Sequence, residues 1–438
     1  MPAFNRIGRS LSPLKRTSRN KLSEGGPYVV AAAVTVGALA ITALITQHWA
    51  KEAETENPAT GQFLEVNGVR IHYVERGSGD PLILLHGNGS MIEDFETSGL
   101  IDLAAKGHRV IVFDRPGFGH SARPRNVTWT PDAQAELFKG ALERLGVARA
   151  IVLGHSWGAS VAVALALRFP ETVSGLVLAS GYYYPTMRPD VVAMSVPAVP
   201  FVGDILSHTL SPVISRLMWP IMMTKIFGPQ SVPVKFGNFP KEMALRPSQI
   251  RASASESALM IPDAFHFRDR YPELKMPVVI IAGENDRIVD IETQSARLHD
   301  DVKQSKFHRL PDSGHMSHQT ATNLVMEAIE EVQRRPCSDR DSRFSQYGVS
   351  TETILQDVAM ARATGIAARA TALTLGTGAV SVMIRSSIGA AHSALTINSI
   401  SRRLSPKRVD EIVARLRIHA EAIELELHKT AASRSARS

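Results

Sequence analysis

The chain has 438 residues, 44% of them hydrophobic and 21% charged. That composition excludes wholesale disorder and leaves room for one α/β domain of about 250–300 residues plus extra segments. The formal charge of +7 sits at the two ends: residues 1–24 carry +5 and residues 340–438 carry +6, so residues 25–339 carry −4 and the central body is not expected to bind nucleic acid. Cys337 is the only cysteine, which excludes an intrachain disulfide and a cysteine-rich zinc site.

Residues 1–27 form a basic segment containing Arg6, Arg9, Lys15, Arg16, Arg19 and Lys21. Tyr28 to Thr46 then runs nineteen residues without a charge. As a helix this run would extend about 28 Å, close to the ~30 Å hydrocarbon core of a bilayer. Residues 28–49 are therefore expected to be a transmembrane anchor, with Trp49 at the far interface. The positive-inside rule places the N-terminus in the cytoplasm and the body on the outer, extracytoplasmic side. A cleaved signal peptide and a buried core helix remain open as alternatives. The run is longer than the usual signal core, and no convincing small-x-small site follows it.

The body is expected over residues 60–335. Phe63 to Val66 and Val69 to Val74 alternate around Asn67-Gly68, which predicts a hairpin with a tight turn. Pro81 to Leu85 is an unbroken apolar run, as a strand buried on both faces requires, and it ends in His86-Gly87-Asn88-Gly89. Arg109 to Phe113 is the next strand, followed by Asp114-Arg115-Pro116-Gly117-Phe118-Gly119-His120-Ser121. Thr130-Pro131 opens a helix with apolar residues at helical spacing. The strand Ala150 to Leu153 leads into Gly154-x-Ser156-x-Gly158 and a further helix, and Val173 to Ala179 is another strand. The alternation of strand and helix implies βαβ units and a mostly parallel sheet.

Gly154-x-Ser156-x-Gly158 between a strand and a helix is the pattern of a nucleophile elbow. The tight turn pushes the Ser156 hydroxyl above the sheet, and the following helix aims its N-terminal amides at the same place. Downstream, Val278 to Ala282 ends in Gly283-Glu284-Asn285-Asp286-Arg287, and Phe307 to Leu310 is followed by Asp312-Ser313-Gly314-His315.

From about Phe63 to Arg335 the chain resembles the α/β-hydrolase superfamily, through HGNG, DRPGFGHS, GHSWGAS, GENDRIVD and DSGHMSH in that order. The resemblance implies a mostly parallel central sheet flanked by helices, with a helical cap. It also implies the chain order nucleophile, acid, histidine. Ser156 is then the nucleophile, Asp286 the acid and His315 the base. Asp290 is the alternative acid, more simply read as a helix cap. The oxyanion hole maps onto the backbone N–H groups of Asn88 and Trp157. His86, His120, His155 and His318 are read as packing or hydrogen-bonding residues. Asn88 and Trp157 together resemble the halide-binding pair of haloalkane dehalogenases. Those enzymes, like epoxide hydrolases, use an aspartate nucleophile, so Ser156 points to carbonyl substrates instead.

The insertion at about residues 182–272 is expected to be the cap. Tyr182, Tyr183, Tyr184, Phe201, Leu217, Trp219 and the methionines 187, 194, 218, 222, 223, 243 and 260 are expected to give it a flexible apolar pocket. Residues 336–350 read as a linker and 351–430 as a helical extension. The apolar stretch Ala363 to Ile397, broken by Arg369 and Arg385, is expected to form amphipathic helices that pair with each other, a partner or a membrane surface. The sequence contains no P-loop or dinucleotide fingerprint, and no cofactor or metal is expected. The function expected is a membrane-anchored serine hydrolase acting on a small-molecule ester, lactone or related acyl substrate. Perhydrolysis with the same residues and a catalytically silent binding protein are the alternatives.

Overall fold

A computed structural model describes residues 26–334, 351–369, 377–384 and 393–435. The basic residues from Arg6 to Lys21, the linker at 336–350 and Cys337 lie outside them. Helix α1 spans Gly26–Glu56, and strands β1 (Gln62–Val66) and β2 (Val69–Arg76) follow. They pair antiparallel around Asn67 (φ 50°) and Gly68 (φ 77°), the two positive-φ residues that a tight hairpin turn of this hand needs. Strand β3 (Asp80–Leu85), helices α2 (Ile92–Ser98) and α3 (Leu100–Ala104), strand β4 (His108–Phe113) and helix α4 (Pro131–Arg144) come next. Thr130 caps α4 by accepting the Ala133 N–H, and Pro131 occupies its first position. Strand β5 (Ala150–His155), helix α5 (Trp157–Arg168) and strand β6 (Val173–Ala179) complete the first half.

The cap comprises α6 (Pro189–Ser195), α7 (Val202–His208), α8 (Leu210–Phe227), α9 (Lys241–Ala244) and α10 (Pro247–Phe267). The chain then re-enters the sheet through β7 (Val278–Gly283), α11 (Arg297–Asp301), β8 (Ser305–Leu310), α12 (Ser317–Thr320) and α13 (Thr322–Arg334). The eight strands lie in the order β1-β2-β4-β3-β5-β6-β7-β8. β2 is antiparallel to both neighbours, and β4 to β8 with β3 form a parallel block.

Burial on both faces explains the apolar runs. In β3, Ile83 and Leu85 enter the core under α4 and α5, while Leu82 and Leu84 enter the core that contains Phe95 of α2 and Val325 and Ile329 of α13. Every one of these side chains is essentially inaccessible. At about 1.5–3 kcal/mol for each buried aliphatic side chain, this two-sided burial is the main term holding the strands in register.

Helix α1 has two halves. Only 6% of its most apolar eighteen-residue window is buried, which excludes the core-helix alternative. Its last turns pack on the cap instead: Thr46 and Ala53 are buried, Trp49 stacks under Arg216 with the guanidinium carbon 4.2 Å from the ring centre, and Glu54 pairs with Arg246 at 2.7 Å.

The methionines of the cap divide. Met223 and Met243 pack with Met91, Phe227, Phe236 and Met316 in one cluster, whereas Met187, Met194 and Met218 face outward. Tyr183 and Tyr184 belong to the core beneath the sheet, where Tyr183 meets Tyr271. The apolar inner surface of the cap is thus built from fewer of the residues than composition suggested.

The extension differs from expectation in its middle. Helices α14 (Thr351–Thr364) and α15 (Pro406–Ser435) flank β9 (Ile366–Arg369), β10 (Thr377–Ile384) and β11 (Ser393–Ile400), a three-stranded antiparallel sheet. Helices were expected over Ala363 to Ile397; among the described residues of that stretch, those beyond the end of α14 and Gly365 lie in strands. The reason is period: Val380, Val382 and Ile384 alternate inward against Leu416 and Ala420 of α15, and β-branched residues at spacing two favour a pleated face.

Candidate active site

Ser156 is the turn residue between β5 and α5, with φ 53° and ψ −120°. A non-glycine residue at positive φ outside the left-handed helical well is strained, and it holds only where the surroundings fix it. They do so here through close backbone approach. A Cβ on Gly158 would lie 2.2 Å from the Leu85 carbonyl oxygen, and one on Gly154 would lie 2.3 Å from that of Gly158. The Ser156 N–H donates to the Ala179 carbonyl at 2.8 Å, tying the turn to β6.

Asp286 follows β7, and His315 follows β8. His315 Nδ1 donates to Asp286 Oδ2 at 2.7 Å, and Asp286 Oδ1 accepts the N–H groups of Ile288 (2.7 Å) and Val289 (3.0 Å). Both side chains are almost wholly buried. Asp290 instead accepts from the Thr293 N–H at 2.8 Å and from its hydroxyl, the helix-capping arrangement, and it is exposed. His315 is held from the cap side as well, where its N–H donates to the Ile226 carbonyl at the end of α8 (3.0 Å).

The loop after β3 passes directly over the turn: a Cβ on Gly87 would stand 3.1 Å from that of Ser156. Trp157 is the first residue of α5, so its N–H has no acceptor inside the helix. Asn88 fixes the other side of the loop. Its Nδ2 donates to the Ser253 carbonyl (3.1 Å) and to the Ser257 hydroxyl (3.2 Å) of α10. Asn88 Oδ1 and Trp157 Nε1 are buried without a hydrogen-bond partner among the described residues.

Three residues that the sequence did not single out hold this loop. Arg115 donates from Nε to the His86 carbonyl (2.7 Å) and from a terminal nitrogen to the Gly87 carbonyl (2.9 Å). Its guanidinium forms a fully buried pair with Glu256 of α10, joined by Gln134. His86 accepts the Arg115 N–H at Nε2 and donates from Nδ1 to the Gly87 carbonyl. Burial first, and then the Arg115 charge, push the His86 ring down to about 3, so it stays neutral.

A second buried network lies behind His315. Asp94 of α2 accepts from His318 Nε2 (2.9 Å), Gln319 Nε2 (2.9 Å) and the Ser90 hydroxyl (2.9 Å). Burial alone would raise the Asp94 carboxyl; the His318 ring and these donors outweigh it and hold the group well below its usual range. His155 donates from Nε2 to the His315 carbonyl at 3.0 Å. Burial, with the neighbouring His318 and His315 rings, keeps His155 uncharged. The network ties the loop after β3, through Ser90, to the segment that carries His315. Asp94, His155 and His318 each place a ligand atom within 4.8 Å of the others, but Asp94 and two ring nitrogens are already committed to these hydrogen bonds.

Comparison with known proteins identifies the fold family. A family model described as the alpha/beta hydrolase fold matches residues 80–322. The 2-hydroxy-6-oxononadienedioate/2-hydroxy-6-oxononatrienedioate hydrolase of Paraburkholderia phymatum is 29% identical over 276 residues, covering 59% of this chain and 90% of that one. The enzyme of the same name from Escherichia coli K12 is 28% identical over 307 residues, 64% of this chain and 97% of that one. Among solved structures, a bacterial membrane phospholipase A superposes with a TM-score of 0.50 at 19% identity, covering 72% of this chain and all of that one, which speaks to the fold. The match extends over more than half the chain, from β3 into α13, and the protein belongs to the α/β-hydrolase fold family as an enzyme of the hydrolase class.

Proposed function

We propose that this hydrolase is a membrane-anchored serine enzyme that cleaves a carboxylic ester, lactone or related acyl bond of a small to medium apolar substrate. The observation that carries the reading is the strained Ser156 turn beneath the Gly87–Asn88 loop, combined with the His315–Asp286 hydrogen bond. Ser156 Oγ attacks the carbonyl carbon while its proton passes to His315 Nε2. The oxyanion takes hydrogen bonds from the N–H groups of Trp157 and Asn88, each such donor being worth about 3–4 kcal/mol of barrier. Collapse expels the alcohol, which leaves with the proton from His315, and water repeats the sequence on the acyl-serine. Asp286 keeps the His315 Nδ1 proton in place and stabilises the imidazolium. In this reading residues 28–49 are the anchor, 60–335 the catalytic domain with its cap at about 182–272, and 351–430 an accessory unit. The body lies on the outer side of the membrane. The burial of Thr46 and its hydrogen bond to the His208 carbonyl support retention of the N-terminal helix, because cleavage near residue 50 would remove this contact.

A chain-length series of p-nitrophenyl esters tests the substrate class. Each CH₂ buried in an apolar acyl site is worth about 0.8 kcal/mol, so kcat/KM is expected to rise from acetate to about hexanoate or octanoate and then level off. A strict preference for acetate would exclude the apolar-substrate reading. A second reading comes from the relatives, whose names specify 2-hydroxy-6-oxo dienedioates. In such a substrate the serine would attack a ketone carbonyl with the same apparatus. Turnover of a 2-hydroxy-6-oxo dienedioate above that of every ester would favour it.

A further inference from the structure

We propose that the outward face of the cap, made by α6, α7, the first half of α8 and the corner at Phe201, docks into the lipid bilayer beside α1. The proposal rests on the reading of α1 as an anchor. From Val191 to Ser215 the chain contains no Lys or Arg and one carboxylate, Asp204. Asp204 is compensated by Arg125 and Arg251, each 3.1 Å away. Val199, Phe201, Ile205, Leu210, Ile214 and Leu217 are 44–83% exposed, and clustered exposed apolar side chains mark an interaction surface.

The corner is built to present one of them. The helical segments Pro189–Ala198 and Val202–His208 meet at 92°, and Phe201 stands between them. It has φ 62° and ψ −58°, and the Val202 N–H donates across it to the Pro200 carbonyl at 2.8 Å. That is a γ-turn of the rare, strained hand. The turn sets the Phe201 side chain outward, at 83% exposure.

The position of α1 identifies what covers this face. The uncharged run of α1 ends at Thr46, whose hydroxyl donates to the His208 carbonyl at the junction of α7 and α8. The apolar helix therefore leaves the body between Ile205 and Leu210. A bilayer that receives α1 up to Thr46 meets these side chains at its boundary. Trp49 and Arg216 stack one turn further on, an amphipathic pair suited to the headgroup level. At its other end α8 supplies the Ile226 carbonyl that holds the His315 N–H. One helix thus joins the docked face to the catalytic histidine, and an apolar substrate dissolved in the bilayer reaches the cap from its lipid side.

The test uses the full chain in a Cys337→Ser background, reconstituted in mixed phosphatidylcholine and phosphatidylglycerol vesicles. Single nitroxide labels are placed through Phe201→Cys, Ile214→Cys and, in the anchor, Val36→Cys. Collision with oxygen reports lipid, and collision with a water-soluble nickel chelate reports solvent. All three labels are expected to favour oxygen, with 201 and 214 shallower than 36. Labels at 201 and 214 open to nickel while 36 is not would overturn the docked face and leave the anchor standing. Labels shielded from both reagents would show a protein cover, either a second copy or the C-terminal unit, and overturn it too. Nickel access at 36 would remove the anchor and the proposal with it. As a functional check, the double variant Phe201→Asp, Ile214→Asp is expected to keep its turnover of a water-soluble acetate ester. It should lose several-fold on an ester dispersed in the same vesicles; equal loss on both, or on neither, would contradict the proposal.

Discussion

His315 Nδ1 lies 2.7 Å from Asp286 Oδ2, although the two residues stand 29 positions apart on different loops. The parallel pairing of β7 with β8 brings them together, because both loops leave the same edge of the sheet. Asp286 spends its other oxygen on two backbone N–H groups, so the carboxylate is oriented before any substrate arrives. Asp286→Asn is expected to lower kcat by on the order of 10³–10⁴ by favouring the wrong His315 tautomer. Asp290→Asn, at an exposed carboxylate that caps the turn at Thr293, should leave turnover near native. Steady-state kinetics of the two variants decide it, and the reverse ranking would move the acid to Asp290.

Glu256 is the cap's main polar tie to the loop over Ser156. Its carboxylate is fully buried and pairs with Arg115, which in turn holds the carbonyls of His86 and Gly87. Removing one partner of such a pair leaves an uncompensated charge and typically costs about 3–5 kcal/mol. Glu256→Ala is expected to lose that much in denaturant unfolding and to lower kcat with it. Glu256→Gln keeps an acceptor and should lose less on both counts.

The Asp94 network predicts a different signature. In Asp94→Ala the donors of Ser90 and His318 lose their acceptor inside the protein, while Gln319 keeps the backbone carbonyl of residue 94 and the Thr97 hydroxyl. Each stranded donor costs about 1–3 kcal/mol, so stability should fall by several kcal/mol. Because Ser90 closes the loop after β3 and His318 follows His315, kcat should fall while KM for a small ester stays nearly constant. A change confined to KM would show that the network does not position the catalytic loops.

What the sequence made legible here was local. The hairpin at Asn67-Gly68, the capped start of α4 and the turn at Ser156 each depend on a few consecutive residues, and each stands where the pattern placed it. Glu256 and Asp94 were invisible for the opposite reason. Glu256 meets Arg115 across 141 positions and Asp94 meets His318 across 224, and each stands among other polar and charged residues, so neither carries a nearby signal. The methionines misled because composition does not say which helix face a residue occupies: Met222 and Met223 turn toward the inner cluster, Met218 outward. In the extension, apolar content was read without its period, and the alternation of Val380, Val382 and Ile384 was missed.

Asp263 on α10 gives a pH dependence. Its carboxyl is buried near Asp132 and Glu256, and burial first, then those two charges, push it up to about 7. The folded state therefore holds a proton that the unfolded chain releases near pH 4. Its contribution to stability is fully present below about pH 4 and is lost as pH rises through about 7. Asp263→Asn removes the penalty, so Tm at pH 8 should rise by about 3–6 °C over the native chain, with little difference near pH 4. Equal shifts at both pH values would place the effect in packing and not in titration.

The covalent step through Ser156 is tested most directly by reacting the full-length protein with a fluorophosphonate and locating the adduct by peptide mass spectrometry. One adduct per chain is expected, on Ser156, absent in Ser156→Ala and strongly slowed in His315→Ala while both variants keep the native fold. An unlabelled native protein, or an adduct on any other residue that persists in Ser156→Ala, would contradict it.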